Sequence, residues 1–284
     1  MEWKTRFKLI FLLAIMTNPL GNAYASVEDF HGFTFGFGVG TTALTADIDR
    51  FSGTLPGINS KNKSTKFNPL GILSIGYGSS FGHYFIGPQI GLNFLGTSEV
   101  NVSNSTVLTS STVGGGVTIV DTDSIFSETK IDRHVVEPFL DLRAGFALSR
   151  NALAYFKGGV SYNTLTVKNA TGINSTVLRL DTETGELIES VQASSRLRFT
   201  DTDHRVGIRA GIGGEFMFTP YLSLATDYVY TFHRTLHQDT SGSFNNANCI
   251  IEGCVVESSS FSSANNTKIH DQKVMAQLIY YMDE

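Results

Sequence analysis

The sequence has few of the residues that mark several large classes of protein. It contains 2 cysteines and 6 prolines in 284 residues, which excludes a disulfide-stapled scaffold and a collagen-like chain. Charged residues make up 17% of the chain and the formal net charge is −5, so the basic surface that a nucleic-acid binder needs is missing. Intrinsic disorder is also excluded, because 41% of the residues are hydrophobic and provide ample surface to bury.

Long apolar runs are absent as well, since none reaches the roughly 18 residues of a transmembrane helix. The apolar run from Leu9 to Met16 follows three basic residues and precedes the small-residue site Ala23-Tyr24-Ala25. This arrangement is typical of a secretory signal peptide. We therefore expect residues 1–25 to be a signal peptide and residues 26–284 to be the exported domain.

Glycine and aromatic residues, by contrast, are abundant: the chain has 28 Gly, 21 Phe and 10 Tyr. From Phe33 to Gly40, large apolar residues alternate with Thr or Gly. This period of two predicts a strand with one apolar face and one small, polar face. Seven further segments alternate in the same way, at about 67–78, 83–95, 135–148, 152–164, 204–218, 221–233 and 272–282.

The connections between these eight predicted strands are of two kinds. Three are short turns, at 79–82, 149–151 and 219–220. Four are long and rich in Ser, Thr, Asn and Asp, at about 45–66, 97–134, 166–203 and 234–271. Short periplasmic turns that alternate with long outer loops are typical of outer-membrane proteins. The sequence therefore predicts an all-β fold, a transmembrane eight-stranded antiparallel up-and-down β-barrel with four long extracellular loops.

The two faces of the predicted strands differ sharply in charge. The apolar face, which includes Phe35, Ile75 and Tyr280, carries no charged residue. A charge there at mid-bilayer would cost about 2–4 kcal/mol, so we expect this face to contact lipid. A soluble lipocalin-like barrel would have its charges outside and its apolar residues inside.

The opposite face should line a lumen that, with eight strands, is only wide enough to be filled by side chains. We expect nine charged residues to form a network there: Glu137, Asp141, Arg143, Lys157, Arg205, Arg209, Glu215, Asp227 and Lys273. Five are basic and four are acidic, a near balance that favours a mutually neutralising plug. A conduction gate or a solute site is the alternative that the sequence leaves open.

Three stretches make the sequence similar to a known family: Phe33 to Gly40, Tyr155 to Tyr162, and Gly207 to Leu224. They resemble the small eight-stranded outer-membrane barrels of Gram-negative bacteria, which include opacity-type surface antigens and outer-membrane-protein-A-like domains. The resemblance covers essentially the whole exported chain. Members of this family usually end on an aromatic residue, whereas here Tyr280-Tyr281-Met282 is followed by Asp283-Glu284.

The resemblance implies a protein of the cell outer membrane, in contact with lipid and lipopolysaccharide and inserted by the barrel assembly machinery. The predicted function is that of a surface antigen or an adhesin-like structural protein, whose loops meet a receptor on a host or a neighbouring cell. A small channel for solutes or apolar molecules is the alternative. A lipid A-modifying enzyme is less favoured, because no G-x-S-x-G motif is present and no catalytic base is assignable. We expect no enzymatic activity and no cofactor.

Three smaller features complete the prediction. Cys249 and Cys254 lie in the last long connection, and export to an oxidising compartment favours a disulfide between them. The histidines lack the spacing of metal ligands, so no metal site is predicted. Pro69, Pro88 and Pro138 fall inside predicted strands, where each removes a hydrogen-bond donor. A bulge, or a position above the membrane, would accommodate Pro88, which lies in mid-strand.

Overall fold

A computed structural model describes residues 30–52, 60–96, 98–250 and 253–282. They form eleven strands: β1 (Gly32–Ser52), β2 (Ser60–Phe81), β3 (Tyr84–Leu95), β4 (Ser98–Gly114), β5 (Val117–Arg133), β6 (Val136–Ser149), β7 (Ala152–Asp181), β8 (Leu187–Thr219), β9 (Leu222–His233), β10 (Leu236–Ile250) and β11 (Gly253–Met282). The predicted signal peptide lies outside the described residues. In the described ranges, no helix has the length and apolar content needed to cross a bilayer.

Eight of these strands pair in a closed antiparallel ring. The ring follows the order of the chain through β1, β2, β3, β6, β7, β8, β9 and β11, and β11 pairs again with β1. The predicted eight-stranded up-and-down barrel is therefore confirmed. One end of the ring is closed by tight turns at Gly82–His83, 150–151 and 220–221, within the predicted turn segments or one residue from them. Gly82 has a φ of 62°, a left-handed conformation that favours glycine.

The mid-strand proline does not disturb the ring. Pro88 is opposite Leu142 of β6 and is exposed on the outside of the barrel. Towards β2, the pairs Gly76–Gln89 and Ser79–Ile86 keep a single register on either side of the proline. The bulge considered for this position is therefore not needed, because the chain keeps its register while one donor is lost.

The described parts of the four long connections consist mainly of further strands rather than irregular structure. β1, β2, β7, β8 and β11 continue far beyond the ring, and β4, β5 and β10 add to them. Ser, Thr and Val in these segments suit a pleated, half-buried surface, and unstructured loops of 30 residues are uncommon in compact domains. The predicted boundaries at 45, 66, 166, 203 and 271 therefore mark where strands leave the ring. Those at 97, 134 and 234 lie close to true strand ends, since β3 ends at Leu95, β6 begins at Val136 and β9 ends at His233.

At the end opposite the tight turns, the strands separate into two four-stranded sheets. The first upper sheet has the order β2-β1-β11-β10, and the second upper sheet has the order β4-β5-β7-β8. They share a buried apolar cluster with five members from each sheet: Leu44, Ala46, Ile48, Leu236, Ile269, Val100, Val102, Ile131, Leu165 and Val167. Two sheets around one such core form a β-sandwich, which we call the upper sandwich.

The inward face changes from polar to apolar at one level of the molecule. The change occurs between Thr42 and Leu44 on β1, between Asn163 and Leu165 on β7, and between Asp271 and Ile269 on β11. The outward face changes in the opposite sense, from exposed Phe156 in the ring to exposed Lys168 above it. This level separates the ring, whose interior holds the buried charges, from the upper sandwich, whose core begins with an apolar cluster.

Candidate functional site: the lumen and the surface above it

The lumen of the ring is lined by every second residue of each strand, and small residues make room there for charged ones. A Cβ added at Gly159 would collide with the carboxylate of Asp141, and one added at Gly213 would collide with that of Asp227. The glycines on the polar face therefore have a steric role, since they allow bulky charged side chains to fit inside an eight-stranded ring.

Glu137 lies at the centre of the first group of lumen charges and is fully buried. The Lys273 ammonium donates to it at 2.5 Å and the Arg209 guanidinium at 3.3 Å. The amides of Asn93 and Asn163 also donate to its carboxylate, each at 3.3 Å. Burial of a charge is tolerated when it is paired and hydrogen-bonded in this way.

Two further carboxylates complete this group. Asp271 accepts from Arg133 at 2.6 Å and from the hydroxyl of Thr42, and it lies 3.1 Å from the ammonium of Lys273. Arg209 donates to Asp141 at 3.0 Å and lies over the ring of Phe139 at 4.3 Å. We call this group the outer charge cluster, and it has three basic and three acidic members: Arg133, Glu137, Asp141, Arg209, Asp271 and Lys273.

A second group lies closer to the tight turns. Lys157 and Gln277 donate to Asp227 at 2.7 and 2.8 Å, and the Tyr155 hydroxyl donates to the same carboxylate at 2.7 Å. A neighbouring pair, Arg143 and Glu215, is separated by 3.2 Å. We call this group the inner charge cluster, and it is also balanced, with two basic and two acidic members: Arg143, Lys157, Glu215 and Asp227.

Large apolar side chains fill the lumen below and beside these charges. Below the inner charge cluster lie Phe30, Phe85, Leu153, Tyr155, Met217, Ala225, Ile279 and Tyr281. Phe30 has no exposed surface, and its ring makes an edge contact with Tyr281 at 6.3 Å between centroids. A second apolar group shares the level of the outer charge cluster: Leu70, Ile72, Leu95, Phe139, Val229 and Met275. The lumen is thus filled, with one apolar group towards the tight turns and a second apolar group among the outer charges.

Eight of the nine lumen residues named from the sequence lie in the two charge clusters. Arg205 is the exception: its guanidinium pairs with Asp203 at 2.7 Å and donates to the carbonyl oxygen of Arg234. Sequence reasoning missed Arg133 and Asp271, because both had been assigned to long connections. Asp271 had a signal, since it shares a face with Lys273 two residues later.

Sequence reasoning also missed the apolar layers of the lumen. Leu153 and Tyr155 have the same inward parity as Lys157, so a period of two along β7 places all three inside. Because the sequence predicts a polar inner face, Leu153 and Tyr155 are not among the predicted lumen residues. The filled lumen is therefore better described as a small protein core than as a channel with charged walls.

The outer surface of the ring is apolar over its whole height. Phe33, Ile90 and Ile212 are each more than half exposed there, at 54%, 60% and 51%. Aromatic side chains mark both rims, with Phe81, Tyr84 and Phe218 near the tight turns and Phe94, Tyr162 and Phe232 at the other end. An apolar band between two aromatic girdles is the surface that a barrel presents to a bilayer. Fold and surface together define a transmembrane β-barrel of the outer-membrane class.

Solved outer-membrane proteins are similar in fold to this chain. OprG from Pseudomonas aeruginosa matches with 11% identity and a TM-score of 0.40, covering 89% of this chain and 98% of its own. The protease OmpT from Escherichia coli matches with 9% identity and a TM-score of 0.33, covering 88% and 97%. The attachment invasion locus protein Ail of Yersinia pestis matches with 8% identity and a TM-score of 0.25, covering 86% and 99%.

No protein-family model matches the sequence, and no curated protein matches it either. Because the identities and TM-scores of the solved structures are low, the class of this protein rests on its own strand pairing and side-chain distribution.

The predicted disulfide lies in the upper sandwich. The register of β10 with β11 places Cys249 opposite Cys254, while the side chains of both fall outside the described residues. The disulfide therefore stays a prediction. His237 lies 2.6 Å from the amide oxygen of Asn266. Within the described part of the chain, no group of three or more His, Cys, Asp or Glu side chains is placed to hold a metal ion.

Proposed function

We propose that this chain is a surface protein whose barrel anchors a folded extracellular sandwich, and that it acts as an adhesin-like surface antigen. The end with short turns faces the periplasm, and the upper sandwich projects from the cell. Lipid and lipopolysaccharide surround the apolar band, and a host or a neighbouring cell supplies the partner of the sandwich. Tyr280 and Tyr281, at the end of β11, would be read by the barrel assembly machinery.

The observation that carries this proposal is the contrast between a filled lumen and a large projecting structure. The buried ion pairs have side chains with 2% exposure or less, and apolar layers lie beside them. By contrast, β7 and β8 are 30 and 33 residues long, whereas β3 and β9 have 12 residues each. A barrel whose function is conduction would not need strands that extend so far outside the bilayer.

Two measurements on the native protein test the proposal together. Proteinase K added to intact producing cells should cut at the hairpin tips near Gly115–Gly116 and at 182–186 and should spare the turn at Gly82–His83. The shaved cells should lose any attachment to epithelial cells that distinguishes them from non-producing cells. Planar bilayers containing the protein should show conductance near zero.

The opposite results would replace the proposal. Cleavage confined to the tight turns would mean that the sandwich faces the periplasm. A steady, large open state, with no attachment that depends on the protein, would favour the channel for solutes or apolar molecules.

A further inference from the structure

Within the described part of the chain, the second upper sheet ends in a strand edge that has no pairing partner along most of its length. β4 pairs with β5 in one continuous register, from Ser98–Arg133 to Gly114–Val117. Along residues 103–114 no strand of the described part of the chain pairs with its other edge. Twelve residues in a strand span about 40 Å, so the open row of backbone N–H and C=O groups is long.

Edge strands of this length are normally protected by Lys, Pro or a bulge, because an open edge is a template for pairing with another strand. From Val100 to Gly114 the chain contains only Val, Leu, Ser, Thr, Asn and Gly. Val107 and Val113 are 62% and 64% exposed. None of the usual protective features is present in this segment.

The opposite edge of the same sheet is formed by β8, and charged residues protect it. There the free part of β8 carries Glu189, Arg196 and Arg198. Two of these charges are held across the sheet, Arg196 by Glu128 at 3.2 Å and Glu189 by Arg179 at 3.7 Å. One edge of the sheet is therefore charged and the other is neutral.

We propose that the β4 edge pairs with the β4 edge of a second copy of this chain on a facing membrane. A neutral edge of Ser, Thr, Asn and Val has no charge pattern that would select a charged partner. Paired with itself in antiparallel fashion, it brings no like charges into opposition in any register within Ser103–Gly114, whereas opposed like charges destabilise a sheet.

The membrane decides which copies are able to meet in this way. Two barrels in one membrane are related by an axis along the membrane normal, which sets their β4 edges parallel. Two barrels in facing membranes are related by a two-fold axis parallel to both membranes, which sets the edges antiparallel. The antiparallel ladder is the more stable per residue, and a two-fold contact uses the same surface on both partners. The inference rests on the proposed function, since it requires the upper sandwich to lie outside the cell.

Clustering of vesicles tests this pairing directly. The full chain is reconstituted into vesicles of phosphatidylcholine and phosphatidylglycerol, with outward sandwiches verified by proteinase K and folding verified by the gel shift on boiling. Native vesicles should cluster, as followed by light scattering. Vesicles with Val107→Lys and Thr109→Lys should stay dispersed, because lysines then oppose lysines.

Charge complementation separates a direct β4–β4 contact from a general loss of adhesiveness. Vesicles with Val107→Glu and Thr109→Glu should also stay dispersed, but should cluster when mixed with the lysine vesicles. As a matched control, Ser190→Lys with Gln192→Lys on the β8 edge should leave native clustering intact. Dispersed native vesicles, clustering of the lysine vesicles with one another, or failure of the mixture would overturn the inference.

Two other outcomes are informative about its relation to the proposed function. Crosslinked dimers within single vesicles, without clustering, would contradict the facing-membrane arrangement. Dispersed native vesicles whose hairpin tips are nevertheless cut on intact cells would remove the self-pairing and leave the surface protein in place. If the tips are protected on intact cells, the proposed function itself fails.

Discussion

The ring and the upper sandwich are built from largely the same strands with inverted polarity. On β1, the inward positions are Thr and Gly in the ring, and they become Leu44, Ala46 and Ile48 above it. The outward positions change from Phe33 and its neighbours to polar residues. The parity of the strand is unchanged, so no bulge or turn is needed to exchange the two faces.

The difference shows that solvent, not strand geometry, decides which face is apolar. In the bilayer the outward side chains meet hydrocarbon, so the inside is free to hold paired charges. Above the bilayer the outward side chains meet water, and the two sheets must bury an apolar core between them. The level where Asp271 gives way to Ile269 therefore marks the outer boundary of the membrane.

The largest effect should come from breaking a lumen charge cluster. Arg209→Ala removes the partner of both Glu137 and Asp141, and an uncompensated buried charge costs about 3–5 kcal/mol. Urea unfolding in lipid vesicles should show this loss, and planar-bilayer conductance should rise as the lumen loosens. Arg205→Ala on the same strand is the matched control: its partner Asp203 is half-exposed, so the expected loss is about 1 kcal/mol or less. Equal losses for the two variants would contradict the layered lumen.

The second-largest effect should come from a charge placed on the outer surface, where the ring and the upper sandwich should respond differently. Ile212→Lys in mid-ring places an ammonium against hydrocarbon and should cost about 2–4 kcal/mol. Ser194→Lys, on the outward part of the same strand above the membrane, should change stability by about 0.5 kcal/mol or less. Unfolding in vesicles measures both, and a small cost for Ile212→Lys would mean that this face does not contact lipid.

A smaller effect should come from removing one methyl group from the core of the upper sandwich. Ile131 has no exposed surface, and Ile131→Val leaves a void that should cost about 0.5–1.5 kcal/mol. Ile75→Val on the lipid-facing side, where the native residue is 54% exposed, should cost less because an acyl chain fills the space. Hydrogen exchange of β5 and β7 should accelerate in Ile131→Val alone. Faster exchange in both variants would contradict the distinction between a packed core and a lipid-facing surface.

The smallest effect should appear at the tip of the β7–β8 hairpin. Backbone N–H groups of Thr184 and Glu183 donate to the Asp181 carboxylate and lower its pKa below the ordinary 3.8. A depressed pKa in the folded state stabilises the tip above pH 3.8, and this stabilisation is lost as the pH falls through the lowered pKa. Amide exchange at 182–186 should therefore increase between pH 5 and pH 2, beyond the intrinsic change with pH.

Asp181→Asn should abolish that additional dependence, and Glu183→Gln should retain it. An identical pH profile for native protein and Asp181→Asn would show that the carboxylate does not hold the tip.

Much of the ring could be predicted from sequence because its signal is redundant. Eight segments repeat one pattern, and in each of them a shift of one residue would place a whole set of apolar side chains on the wrong face. The upper sandwich has a weaker signal: its alternation in β1 is only Leu44, Ala46 and Ile48 between Thr and Asp. That alternation begins directly after the ring pattern, in the opposite polarity, so the sequence predicts a loop there.

The sequence by itself determined the class of fold, the facing of the ring strands and most of the buried charges. These follow from a period of two and from the cost of a charge in hydrocarbon, which are local properties of each strand. Only the tertiary structure decided which charges pair, that Arg205 stands apart from them, and that no described strand pairs with the outer edge of β4. Pairing across the lumen joins residues such as Arg133 and Asp271, 138 positions apart in the chain. No local pattern specifies such a pair, because the distance between its members is set by how the ring closes.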